Sequence, residues 1–154
     1  MDIKSGVLRH PQIISLLEEH LSDMHATSPA ESVHALDLTK LSTPDISFYS
    51  AWHEDTLLGC AAISQHCDKM AEIKSMRTTQ ASRNKGVAKA LLNHLIETAK
   101  NRGYDELYLE TGTMDYFKPA RALYKSFGFT PCEPFADYQH DPNSTHMVLS
   151  LTKA

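Results

Sequence analysis

The feature that most restricts the fold is a strand-like segment running through a polar link and a lone glycine into an amphipathic helix. Ala71–Thr78 (AEIKSMRT) reads as a strand and Thr79–Lys85 as the link. Gly86 then opens a helix in which Val87, Leu91, Leu92, Leu95, Ile96 and Ala99 share one stripe. Arg102-Gly103 ends it with a basic last turn and a glycine stop. A strand delivered into a helix N-terminus calls for a sheet with helices packed on it. The helix start carries about half a positive charge and several unpaired N–H donors, which makes it a seat for an anion. Glycine permits close approach of the backbone to a phosphate, small Ala88 keeps the first turn clear, and Arg83, Lys85 and Lys89 place three cations nearby. A diphosphate fits this better than a single carboxylate. The competing reading is an ordinary strand-to-helix turn with solvated charges. A P-loop is excluded because no GxxxxGK[ST] occurs, and a dinucleotide fingerprint because Gly86 stands alone.

The rest of the chain supplies a sheet for that unit. Asp2–Ser5 is a short strand, and Pro11 opens a helix with Ile13, Ile14, Leu16, Leu17, Leu21 and Met24 near helical spacing. Ala30–Leu41 reads as a second, shorter helical segment with Val33, Leu36 and Leu41 on its apolar side. Ile46–His53 and Thr56–Gln65 are strands joined at Glu54-Asp55, and the run Leu57–Ile63 has the continuous apolar character of a strand covered on both faces. Glu106–Glu110 is a strand, Pro119–Phe127 a helix ended by a left-handed Gly128, and Thr145–Leu151 an alternating strand. The order is β-α-α-β-β-β-α-β-α-β, with a further short strand around Phe129–Cys132. This predicts an α/β fold: a single mixed, largely antiparallel sheet flanked by helices.

At 154 residues the chain suits one domain, spanning 1–154, since domains average about 150 residues. Fifteen Lys+Arg against nineteen Asp+Glu give a net charge of −4, which argues against a nucleic-acid binder. No apolar run approaches the roughly 20 residues that span a bilayer, so no membrane partner is expected. Cys60, Cys67 and Cys132 are odd in number and form no CxxC pair, which points to a reducing, cytoplasmic setting. Nine histidines invite a metal reading, yet no HExxH or Cys/His cluster has ligand spacing, so no metal is expected. Cys132, in Pro131-Cys132-Glu133-Pro134, lacks the His–Asn partner pattern of a nucleophilic thiol.

Read together, A-E-I-K-S-M-R-T, then R-N-K-G-V-A, then L-Y-L-E, then A-R-A-L-Y-K-S-F-G-F resembles the GCN5-related N-acetyltransferase (GNAT) superfamily. The six-residue part matches that family's [RQ]-x-x-G-x-[GA] signature, and the likeness covers Ile46–Phe129. The dense hydroxyls and imidazoles of Met24–Leu36, with Tyr138, Asn143 and Ser144, are similar to a subgroup of small bacterial acetyltransferases of the YsnE type.

The resemblance implies a GNAT-like acyl-CoA N-acyltransferase fold and acetyl-CoA as cosubstrate. It implies that backbone N–H groups along Asn84, Lys85, Gly86, Val87, Ala88 and Lys89 hold the pyrophosphate, with Arg83 beside them. It sets Met76, Arg77 and Thr78 along the pantetheine, with an oxyanion contact at the N–H of Met76 or Arg77. Tyr124 takes the place of the phenol that protonates the departing thiolate, although the same spacing suits a core tyrosine. Glu72 matches the strand carboxylate that serves several relatives as base, although it could equally be a strand-edge charge. Where the family often carries Asn, seven residues before the tyrosine, this chain has Phe117; Thr111 or Thr113 would have to replace its contact.

The first two helices and the loop Glu133–Ser144 would wall the acceptor cleft, with His25, Ser28, His34, Lys74 and Tyr138 as candidate substrate contacts. The acceptor expected is a small amine bearing a carboxylate, held with Lys74 or Arg77. A protein N-terminus or lysine side chain is the rival acceptor, and a non-catalytic acetyl-CoA sensor the rival class. Open strand edges leave room for a homodimer.

Overall fold

The computed structural model describes residues 1–28, 38–136 and 138–152. In chain order the elements are β1 (Asp2–Ser5), α1 (Pro11–Thr27), α2 (Leu38–Leu41), β2 (Ile46–His53), β3 (Thr56–Cys67) and β4 (Met70–Thr78). A 3-10 turn over Gln80–Ser82 leads to α3 (Val87–Asn101) and β5 (Glu106–Gly112). Another over Asp115–Phe117 leads to α4 (Lys118–Ser126), β6 (Thr130–Cys132) and β7 (Ser144–Ser150). The seven strands lie in the order β1-β2-β3-β4-β5-β7-β6. Every neighbouring pair is antiparallel except β4 and β5, which α3 connects in parallel.

The mixed sheet and the chain order of its elements match the sequence reading, and the differences sit at element ends. β3 runs two residues past Gln65, because Cys67 still pairs with Met70 across the hairpin. β5 extends to Gly112 because β7 pairs with it along its full length. Of the expected segment Ala30–Leu41, the helix Leu38–Leu41 is seen; Val33, Leu36 and the candidate contact His34 lie outside the described residues.

Local chemistry explains the helix starts. Pro11 occupies the first turn of α1, and His10 Nδ1 accepts from the Gln12 N–H at 3.1 Å. α3 begins behind Gly86, whose φ of 82° is left-handed and carries no steric penalty for glycine.

One layer buries α3 against Tyr49, Ala61, Ile63, Ile73, Leu107 and Met147, with α4 contributing Tyr124 on the same face. On the opposite face Ile13, Leu16 and Leu17 of α1 pack with Phe48, Trp52, Cys60 and Ala62. The central strands are therefore apolar on both sides, and β2 is buried continuously from Phe48 to Trp52.

β4 carries the main irregularity. Ala62 pairs with Lys74 and Cys60 with Arg77, so one residue of β3 opposes two of β4, and Ser75 within this bulge has φ 54°. The extra residue reverses the alternation. Glu72 and Lys74 point to the α1 face; after the bulge Met76 joins the α3 core and Arg77 returns to α1. The Cys60 thiol donates to the Ser75 carbonyl at 3.3 Å, and burial pushes that thiol up to about 12, so it stays a neutral donor.

Gly59 makes room for this strand shape. A Cβ there would lie 2.8 Å from the Arg77 carbonyl oxygen, 3.1 Å from Val87 and 3.3 Å from Leu91. Because the nearest of these is backbone, Gly59→Ala should destabilise the protein by about 1–3 kcal/mol. Urea unfolding at neutral pH checks this; an unchanged midpoint would mean that β4 yields without cost.

Candidate active site

β4 and β5 pair only over Met70–Glu106, Ala71–Leu107 and Glu72–Tyr108. β4 continues to Thr78 and β5 to Gly112, so the two parallel strands part directly after Glu72. At the far end of β4 the chain turns into α3 through Asn84 (φ 63°) and Gly86 (φ 82°). The helix ladder begins where the Ala90 N–H donates to Gly86 O at 3.0 Å, with the N–H groups of Val87, Ala88 and Lys89 ahead of it. A Cβ on Gly86 would meet nothing within 4 Å, so nothing packs against the turn at that point. Arg83, Lys85 and Lys89 flank it in sequence.

On the α3 face Tyr124 reaches the gap between the strands. Its hydroxyl lies 3.7 Å from the Met76 sulfur, immediately past the bulge, and burial pushes the phenol up to about 12. The ring also packs edge-on against Phe129, within the core that its spacing predicts.

On the α1 face Glu72 is 1% exposed in an interior strand, which removes the strand-edge alternative. Its Oε1 lies 2.8 Å from His66 Nε2, and its Oε2 accepts from the Tyr138 hydroxyl at 2.8 Å. Lys74 Nζ donates to the Tyr138 oxygen and sits 3.4 Å from Glu72 Oε2. Burial and the adjacent Glu72 charge push the Tyr138 phenol upward, which keeps it a donor. Phe135 covers the group, with ring contacts to His66, Tyr108, Tyr138 and His146. Glu110 and His146, paired across β5 and β7, stand 3.7 Å apart beside it.

Of the candidate acceptor contacts, Lys74 and Tyr138 are thus joined to Glu72. His25 and Ser28 sit at the C-terminal end of α1; His25 is exposed, and Ser28 caps the helix through its N–H to Met24 O at 3.0 Å. The Arg77 side chain is paired within the protein. One guanidinium nitrogen donates to Glu19 at 2.6 Å and to Asp23 at 2.5 Å, binding α1 to β4. Burial works to lower the Arg77 pKa, but the bonds to Asp23 and Glu19 outweigh it and hold it above the usual arginine value. An acceptor carboxylate would have to displace those acids.

Thr113 is engaged as well. Its hydroxyl donates to Pro142 O at 2.8 Å, tying the end of β5 to the loop before β7. Phe117 is buried over Gly112, where a Cβ would come within 2.2 Å of the ring. Among the described residues no group of three or more His, Cys, Asp or Glu side chains could hold a metal ion.

His66 escaped the sequence reading because its role depends on register. Ser64 pairs with Glu72, and His66, two residues on, returns to the same face. Glu19 and Asp23 left a clearer trace, being four apart on one helix face.

The profile of the Acetyltransferase (GNAT) family matches residues 13–129. The chain belongs to the GNAT acetyltransferase family. It is 54% identical to the uncharacterized N-acetyltransferase YsnE of Bacillus subtilis, over 98% of this chain and 100% of that one. It is 43% identical to the uncharacterized N-acetyltransferase YedL of Escherichia coli, over 97% and 94%, and 36% identical to the IAA acetyltransferase of Azospirillum brasilense, over 91% and 89%. Among solved structures, a GNAT acetyltransferase from Elizabethkingia anophelis with acetyl-CoA bound shares the fold, with a TM-score of 0.69 and 18% identity over 97% of each chain. The GNAT match extends upstream of Ile46 to take in α1, the helix that Arg77 holds.

That attachment carries a titration signature. Burial, then the Arg77 charge, lowers His20 on α1 from 6.5 to about 4, and its Nδ1 is buried without a hydrogen-bond partner among the described residues. A histidine depressed in the folded state binds its proton more tightly when unfolded, so stability is lost as pH falls from about 6.5 towards about 4. The Arg77 bond to Asp23 lowers that carboxyl and adds a loss of the same sign at more acid pH. Urea midpoints should therefore decline between pH 7 and 4.5, and His20→Leu should flatten the decline. Parallel profiles for parent and variant would remove His20 as its source.

Proposed function

We propose that the protein transfers an acetyl group from acetyl-CoA to the primary amine of a small molecule, by direct attack in a ternary complex. The observation that carries this is the parting of β4 from β5 immediately after Glu72, on the strand that leads into the N-terminus of α3. The gap takes an extended pantetheine arm whose backbone partners are Met76, Arg77 and Thr78. The pyrophosphate lies on the N–H groups of Asn84 through Lys89, with Arg83, Lys85 and Lys89 offsetting its charge. The backbone N–H of Met76 or Arg77 receives the negative charge that builds on the thioester oxygen.

The two proton-handling groups stand on opposite faces of that gap. A primary amine near pKa 10 needs roughly 4 kcal/mol to shed its proton at pH 7, which a base on the acceptor side reduces. Glu72 is that base. Tyr124, from the α3 face, returns a proton to the sulfur. With the phenol at about 12 and a thiol near 8.5, that transfer is uphill and depends on contact with the leaving sulfur. Lys74 and Tyr138 border the acceptor next to Glu72, and His25 and Ser28 form its outer wall on α1. The whole chain acts as one domain, working in the cytoplasm. The short edge strands β1 and β6 are the surfaces through which a homodimer would form.

Thiol release from acetyl-CoA over a panel of amino acids, polyamines and aromatic amines tests the reading, with acetylated peptides as the counter-panel. Turnover of free amines is expected. Activity confined to protein N-termini or lysines would overturn the small-molecule acceptor, and tight acetyl-CoA binding with no transfer would favour a sensor. Tyr124→Phe should lower kcat by about a hundredfold while acetyl-CoA affinity changes by no more than about threefold. Unchanged turnover would take Tyr124 out of the chemistry.

A further inference from the structure

We propose that His66 is the exit through which the proton collected by Glu72 reaches water; the inference rests on the acetyl-transfer reading above. Glu72 faces a problem that its own burial creates. The side chain is 2% exposed, so a proton taken up there has no direct path to solvent. Among the described residues, two branches of hydrogen bonds meet at the carboxylate. At Oε2 the Tyr138 hydroxyl donates to Glu72 and Lys74 donates to Tyr138. Both of those bonds point towards the carboxylate, so that branch does not carry a proton away from it. From Oε1 the path runs 2.8 Å to His66 Nε2, and the His66 side chain is 27% exposed. Imidazole alone among these groups both accepts and releases protons near neutrality. Phe135, its ring centroid 6.3 Å from that of His66, keeps the branch covered on the protein side. Among the described residues, Glu110 and His146 also face this assembly, beside Tyr138.

The substrate ammonium gives one proton to Glu72. Its nitrogen attacks the thioester carbon, the N–C bond forms, and the C–S bond breaks with its electron pair on sulfur. Tyr124 protonates the sulfur and is recharged by the second proton leaving the new amide nitrogen. While Glu72 is a carboxylate, His66 Nε2–H donates to it. Once Glu72 holds the proton, the ring changes to its Nδ1–H tautomer by exchange with solvent, and Nε2 takes the proton from Oε1. The imidazolium then gives its Nδ1 proton to water, which restores the Nε2–H donor. One proton is released per acetyl group transferred, and His66 acts through Glu72 without touching substrate.

The experiment uses the full chain and whichever amine of the panel it acetylates fastest. His66→Ala should lower kcat by on the order of tenfold or more with the KM for acetyl-CoA unchanged. Added imidazole should restore the rate in proportion to its concentration, whereas pyrazole, a ring of the same shape and far weaker basicity, should not. His66→Gln keeps a donor beside Oε1 and preserves the packing, and should be as slow as the alanine variant. Equal rescue by both rings, or a kcat within about twofold of the parent in the glutamine variant, would overturn the exit role while leaving acetyl transfer standing. A parent chain inactive on every amine would overturn the acetyl-transfer reading, and this inference with it.

Discussion

The structure turns on a single extra residue in β4. Without the bulge at Ser75, the strand would keep its alternation, and Met76 would point where Arg77 now points. With it, one strand sends Glu72, Lys74 and Arg77 to the α1 face and Met76 to Tyr124 on the α3 face. A left-handed φ at a serine costs of order 1 kcal/mol or more, so it persists only where surroundings fix it. Here they do: the Cys60 thiol bonds the Ser75 carbonyl, and Gly59 lets β3 lie against the strand beyond it. The same stretch of β4 is where pairing with β5 has already ended, so the distorted edge faces an opening rather than a neighbour.

The charges around this opening are matched inside the protein before any substrate arrives. Burying a carboxylate alone would cost several kcal/mol, and Glu72 avoids this by accepting from Tyr138, standing beside Lys74 and bonding His66. Arg77 follows the same rule from the other side of the bulge, where Glu19 and Asp23 meet its guanidinium. The Arg77 bridge is also what fixes α1 against β4, so the helix and the strand beneath it hold one geometry. Under the proposed reaction, that stiffness places an amine between a base on one face and a phenol on the other.

Much of this was legible in the residues. The amphipathic stripe of α3, the glycine at its start, and the bounds of β2 and β4 followed from period and punctuation to within a residue or two. The family's ordered segments pointed to Glu72 and Tyr124, and both stand at the mouth of the strand gap. His66 was invisible, because one histidine in a polar strand end carries no spacing signal until its strand is paired. Lys74 and Arg77 both read as free cations for an acceptor, since nothing local to β4 announces Tyr138 from sixty-four residues away or Glu19 from fifty-eight.

The sequence by itself determined which segments are strands and helices, that a helix N-terminus would follow β4, and which family the motifs resemble. These depend on neighbours a few residues apart, and periodicity, glycine and capping residues encode them directly. Only the tertiary structure decided the register of β3 on β4, the one-residue bulge, the point at which β4 leaves β5, and the partners of each buried charge. Those follow from packing two helical layers onto a twisted sheet, where a shift of one residue exchanges the two faces, and no local pattern in the chain specifies that shift.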